Sequence, residues 1–159
     1  NGTRLLTAVS LYAQWETLPG SKSVYGGPRL HRMMSDLNGV LGRAKRRPVV
    51  LAGDFNVTSQ GSRTSDNEAD AAFARLRAFG LAGCPLASVP LAGCQCPDGE
   101  RCRHVKTFRT GTQLDYAFVS PALSGNLQCS VWDKKDAWRL SDHCPVVLDV
   151  AVGTGRRAT

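Results

Sequence analysis

Apolar residues along this chain come in short runs separated by polar turns, and their spacing alternates between strand-like and helix-like. Residues 4–12 read as a buried strand, because Leu5-Leu6-Thr7-Ala8-Val9 is short, apolar and partly β-branched. Residues 13–27 read as a loop broken by Pro19-Gly20 and Gly26-Gly27. Pro28 suits the first turn of a helix, and Leu30, Met33, Met34, Leu37, Val40 and Leu41 then recur on one helical face. Arg43, Lys45, Arg46 and Arg47 place cations at the end of that helix, and Pro48 stops it. Val49-Val50-Leu51-Ala52 is a second buried strand, so the strand, helix, strand order predicts parallel strands in an α/β layer. Gly53-Asp54-Phe55-Asn56 follows at its carboxyl end. Residues 57–66 are polar, and Asp66 or Asn67 caps a helix predicted over 67–80, with Ala71, Phe73, Leu76 and Phe79 on an incomplete apolar face. Residues 81–104 are rich in Gly, Pro and Cys and read as irregular. Strands are predicted at 105–109, 113–119, 127–132 and 145–152, followed by a frayed basic tail over 153–159.

Composition narrows the classes. The longest apolar runs are a few residues, which excludes a membrane-spanning helix. A hydrophobic content of 42% argues against global disorder, and 159 residues without an internal repeat or linker are enough for one domain. Lys+Arg is 20 against Asp+Glu 13, a net charge of +7. That balance points to an anionic partner, nucleic acid first, although solubility alone accounts for a similar charge in many proteins.

Three segments set polar groups at the ends of apolar runs: Gly53-Asp54-Phe55-Asn56, Gln113-Leu114-Asp115-Tyr116 and Ser141-Asp142-His143-Cys144-Pro145-Val146. Singly each is weak, since Asp and Asn after a strand are common turn formers and a lone His is usually structural. Jointly they supply what phosphate ester hydrolysis needs: a base, donors for developing negative charge, and carboxylates for a divalent metal. Asp54 can serve as base and Asn56 can orient water or donate to the phosphate. His143 beside Asp115 can present an imidazolium to phosphate oxygens, and Asp142 can bind metal.

These segments, in this order, resemble the endonuclease/exonuclease/phosphatase superfamily, which includes abasic-site nucleases, DNase I-like nucleases, inositol polyphosphate phosphatases, sphingomyelinases and deadenylases. The resemblance runs from about Leu5 to Val152 and includes Leu11-Tyr12-Ala13, similar to a family strand that ends in a phosphate-contacting Tyr or His. It implies an α/β fold, the C-terminal part of a two-sheet α/β sandwich of DNase I type spanning residues 1–152, with a Cys-rich insertion at about 82–104. It also implies that Asp54 aligns the attacking water, Asn56 stabilises the phosphate and touches metal, His143 contacts the scissile phosphate and Asp115 holds His143. Asp142 would help bind Mg²⁺ (or Mn²⁺), and Tyr12 would contact the phosphate or support the leaving group. The family's first half carries an Asn and a metal-binding Glu that no residue here matches, Glu16 coming too late. The expectation is a chain that supplies mostly the second half of the domain and leaves an apolar sheet face open.

Cys94, Cys96, Cys102 and His104 put four soft ligands within eleven residues, a candidate structural Zn²⁺ site with Cys84 as an alternative ligand. A disulfide-stapled loop and inert thiols are the competing readings; zinc fits a cytoplasmic protein and a disulfide a secreted one. Cys129 and Cys144 fall in strands and read as buried packing residues. The run from Arg43 to Arg47 reads as a solvated helix end. Arg101, Arg103, Lys106 and Arg109 lead from the Cys-rich loop toward the site and read as phosphate contacts. Of Trp15, Trp132 and Trp138, the last precedes the Ser-Asp-His loop and is the candidate substrate-facing aromatic. His31 reads as surface. Three functions follow: a Mg²⁺-dependent nuclease acting on DNA or RNA, a phosphatase or phosphodiesterase acting on a smaller phosphoester, or a truncated family member that binds nucleic acid or protein without turnover.

Overall fold

In the computed structural model, which describes residues 6–17, 20, 24–59, 63–88, 91, 94 and 103–151, the chain runs through β1 (Thr7–Tyr12), β2 (Glu16–Thr17), β3 (Val24–Tyr25), α1 (Gly27–Asp36) and α2 (Asn38–Leu41). There follow β4 (Val49–Asp54), α3 (Arg63–Ala78), β5 (Ala82–Gly83), β6 (Leu86–Ala87), β7 (Asp115–Val119), β8 (Leu127–Val131), α4 (Lys135–Leu140) and β9 (Val146–Val150). The first sheet has the order β1-β4-β7-β5 and the second β6-β8-β9, while β2 and β3 pair with each other. β1 lies parallel to β4, as the strand, helix, strand order predicts, and β7 lies antiparallel on the other side of β4.

Strand periodicity decides what each face of the first sheet touches. Leu11, Val49, Leu51, Tyr116 and Phe118 point toward the helices and pack with Leu30 and Met34 of α1, Leu41 of α2, and Phe73 and Leu76 of α3. Val50, Ala52, Ala117 and Val119 point the other way and meet Leu86, Leu127, Cys129, Val131, Val146 and Leu148 of the second sheet. The fold is therefore an α/β sandwich: helices on one sheet, and that sheet on a second. Cys84, just after β5, is disulfide-bonded to Cys129 in β8, with the Cα atoms 6.3 Å apart. The bridge ties the margin of the first sheet to the middle of the second. Among the described residues β1 and β9 are outer strands, and a groove of about 490 Å³ lies between them, lined by Leu6, Val9, Val50, Ala52, Leu148 and Val150.

Several local expectations change. The single helix expected from Pro28 breaks at Leu37, before the weak helix formers Asn38 and Gly39. The basic segment from Arg43 to Arg47 is a series of tight turns rather than helix. α3 begins at Arg63, so Asp66 and Asn67 lie inside it; several Ser, Thr and Asp residues compete there as caps and the sequence does not rank them. The buried face of α3 is Ala69, Ala72, Phe73 and Leu76, whereas Ala71 is exposed. The strand expected over 105–109 contributes isolated bridges rather than a ladder, among them Phe108 to Thr112 and Phe108 to His143, because the chain reverses at Gly111 (φ 92°). The strands around it start at Asp115 and end at Val131 and Val150. The Cys-rich stretch holds β5 and β6. α4 has no buried residue, so it leaves no apolar period to read. The 153–159 tail and much of the Cys-rich stretch, including Arg101, lie outside the described residues.

Candidate active site

Register builds the site. Tyr12 pairs with Asp54 across β1 and β4, and Asp54 pairs with Asp115 across β4 and β7. Three functional side chains thus stand in one row at one end of the first sheet. β4 can end there because Gly53 takes φ 143°, and a Cβ at this position would run into the carbonyl of Leu11. Asn56 sits in the left-handed region at φ 48°, which Asn tolerates better than most residues. Its backbone N–H donates to Asp54 Oδ1 at 2.9 Å, and its Nδ2 donates to Asp54 Oδ2 at 3.0 Å and to the Ala13 carbonyl at 2.9 Å. Phe55, fully buried against Phe73, Tyr116 and Phe118, anchors the turn between them.

Asp115 is fixed from below. The fully buried Thr107 Oγ1 accepts the N–H groups of Leu114 and Asp115, each at 3.0 Å. The Asp115 carboxylate then meets His143, Oδ2 to Nδ1, at 2.9 Å, and His143 Nε2 lies 3.9 Å from Asp54 Oδ2. Phe108 packs its ring 4.9 Å from the imidazole and bridges to the His143 backbone. Ser141 Oγ accepts the His143 N–H at 3.0 Å. Arg109 donates from its guanidinium to the carbonyls of Trp138 and Ser141, at 2.6 and 3.0 Å, and from its backbone to the Asp142 carbonyl at 2.8 Å. The loop that carries His143 is therefore held by the segment from Thr107 to Arg109.

Burial pushes the Asp54 carboxyl above the ordinary carboxylate range, and the neighbouring Asp115 charge adds to this. The Asn56 hydrogen bonds and His143 oppose it. Burial likewise raises the Cys144 thiol and the Tyr116 phenol.

Tyr12, Asp54, Asn56, Asp115, Asp142 and His143 all line one cavity of about 540 Å³. Arg109 and Trp138, expected to bind substrate, do not line it: Arg109 is spent on backbone carbonyls, and Trp138 carries Lys106 Nζ 4.6 Å above its ring while its indole N–H donates to Asp133. Trp15 is the indole that faces the cavity. Its only sequence signal is its place three residues after Tyr12. Thr107, Phe108 and Ser141 also act here, and sequence reasoning did not single them out.

The donor set fits a hard divalent cation. Ligand atoms of Asp54, Asp115 and His143 lie within 4.8 Å of one another, and two carboxylates at this spacing carry a repulsion that a cation relieves. Asp142 lines the same cavity outside that group, and Asn56 turns its amide N–H to Asp54 and Ala13. In the Cys-rich stretch, Cys94 Sγ lies 3.5 Å from His104 Nδ1, and Ser59 Oγ lies 2.7 Å from His104 Nε2. Cys96 and Cys102 lie outside the described residues. Cys84 is removed from any zinc set by its bond to Cys129, and Cys129 is a bonded half-cystine rather than a packing thiol. Cys144 is a buried thiol whose Sγ donates to the Trp132 carbonyl.

The sequence model described as the Endonuclease/Exonuclease/phosphatase family matches residues 20–143. Comparison with curated protein sequences returns no match. Among solved structures the chain is similar to an AP endonuclease from Archaeoglobus fulgidus, at 18% identity over 78% of this chain and 55% of that one, TM-score 0.43. It is similar to the Haemophilus ducreyi cytolethal distending toxin at 16% identity over 79% and 43%, TM-score 0.42. It is similar to a Bacteroides thetaiotaomicron mannosyl-6-phosphatase at 18% identity over 80% and 46%, TM-score 0.40. The chain spans about half the length of these structures.

Proposed function

Because the chain belongs to the endonuclease/exonuclease/phosphatase family, we propose that it hydrolyses phosphodiester bonds by direct attack of water on phosphorus, with DNA or RNA as substrate. The observation that carries this reading is the convergence of Asp54, Asp115 and His143 in an open cavity. Asp54 takes the proton from the attacking water; its raised pKa makes it a stronger base than an exposed carboxylate. Asp115 accepts from His143 Nδ1, which fixes the ring so that Nε2 donates to a phosphate oxygen. Asn56, held by Ala13 and Asp54, orients the water. Tyr12, exposed at the cavity wall, contacts the phosphate or the leaving oxygen. A divalent cation such as Mg²⁺ or Mn²⁺, held by Asp54 with Asn56, Asp142 or Asp115, would supply neutralisation of the phosphate charge.

The net charge of +7 favours a polyanion over a small phosphoester. The Cys84–Cys129 pairing favours an oxidising compartment. A structural zinc on Cys94, Cys96, Cys102 and His104 is the competing reading and would place the protein in a reducing compartment instead; metal analysis of the protein decides between the two.

The deciding experiment measures Mg²⁺-dependent cleavage of abasic duplex DNA, single-stranded nucleic acid and a panel of inositol phosphates. Wild type is compared with His143→Ala and Asp54→Ala. Each substitution is expected to lower kcat by about 10²- to 10⁴-fold. Full rates in both variants, or no hydrolysis by the wild type, overturn the assignment.

A further inference from the structure

A second cavity, of about 330 Å³, opens on the far side of Tyr12 and is lined by Gln14, Arg29, Arg32, Met33 and Asp36. Tyr12 is a wall of both cavities, so the two adjoin. Arg29 and Arg32 stand three residues apart on α1 and share one helical face. Asp36 is the acidic residue of the same lining. Tyr12 is 62% exposed and Trp15, on the wall of the first cavity, is 49% exposed. Aromatic rings that keep this much open surface beside a pair of guanidinium groups have the composition of a single-strand track, with cations for phosphates and flat rings for unstacked bases.

We propose that this second cavity is a subsite for the phosphate next to the scissile one in a single-stranded nucleic acid. Arg29 and Arg32 hold that phosphate, while Tyr12 and Trp15 offer stacking surface for the bases on either side. This rests on the phosphoesterase reading of the first cavity and names the substrate form it takes. A small phosphoester with one phosphate would fill the first cavity only.

Binding of a fluorescein-labelled single-stranded oligothymidylate, followed by anisotropy over a range of salt in EDTA, tests the subsite without turnover. Arg29→Ala/Arg32→Ala is expected to weaken binding about tenfold. The slope of log affinity against log salt is expected to fall by about 0.7, one phosphate contact on a single strand. Arg29→Lys/Arg32→Lys restores most of that slope. Arg46→Ala/Arg47→Ala removes the same charge at the opposite end of β4, roughly 17 Å from Asp54 along the strand, and is expected to keep the wild-type slope. An unchanged slope in Arg29→Ala/Arg32→Ala, an equal loss in Arg46→Ala/Arg47→Ala, or tighter wild-type binding to duplex than to single strand overturns the proposal. Failure of the wild type to bind the oligonucleotide also overturns it, while hydrolysis of an inositol phosphate would leave the phosphoesterase reading standing. A flattened slope without any hydrolysis would keep the subsite and remove the catalytic reading.

Discussion

Asp54 concentrates the chemistry of the site in one ionisation. Its carboxyl titrates above the ordinary range because burial and Asp115 both oppose its charge. In the metal-free protein this carboxyl is therefore expected to titrate with a midpoint above that of an exposed carboxylate, read from its side-chain carbon shift by NMR. Stability follows the same ionisation. A group whose pKa is raised by folding binds more protons in the native state, so its contribution is present below the unfolded pKa and is lost as pH rises through the folded one. Relative to Asp54→Ala, the wild type is expected to gain stability as pH falls from neutral into the carboxylate range, read as the difference in urea midpoints. A difference that is constant with pH would remove the account of Asp54. This residue was legible in the sequence because a strand, a glycine and two polar residues fall in immediate succession. Trp138 is close to His143 along the chain, but it sits on α4, outside the cavity lining, and interacts with Lys106 and Asp133.

At the scale of elements, a segment without regular structure holds His143. The segment from Thr107 to Arg109 accepts the Cys144 N–H at Thr107 O, stacks Phe108 on the imidazole and ties down α4 through Arg109. Removing the guanidinium in Arg109→Ala frees the carbonyls of Trp138 and Ser141. The expected result is a fall in kcat of about ten- to a hundredfold, from misplacement of His143, with KM little changed. Stability should drop by only about 1 kcal/mol, since these hydrogen bonds are exposed. An unchanged kcat would show that the loop holds its place without Arg109. None of this could be read from one sequence, because the basic residues between Arg101 and Arg109 have the composition of a phosphate-binding run. Only the folded chain shows a cation directed at its own backbone. The helical faces were more accessible: Leu30, Met34 and Leu41 follow a period that burial enforces, whereas α4, with nothing to bury, carries no period.

For the molecule as a whole, the Cys84–Cys129 bridge closes a sequence separation of 45 residues and joins two sheets. In the chain-entropy account a loop of that size contributes about 4 kcal/mol. Reduction with dithiothreitol, or Cys84→Ser/Cys129→Ser, is expected to lower unfolding free energy by roughly that amount in urea titrations. A shift well under 1 kcal/mol would mean that sheet packing alone holds the sandwich. The pairing was invisible beforehand, because six cysteines permit many connectivities and spacing does not choose among them.

The row of Tyr12, Asp54 and Asp115 makes strand alignment itself a component of the active site. β1 lies at the margin of its sheet, and of its six residues Leu11 alone is buried. A slide of two residues along β4 would keep every side chain on its own face and bring Ser10 or Gln14 opposite Asp54 in place of Tyr12. Leu11, which does no chemistry, is then the peg that keeps the tyrosine in place. A chain that slips off it would keep all the candidate residues and lose the arrangement that brings them together.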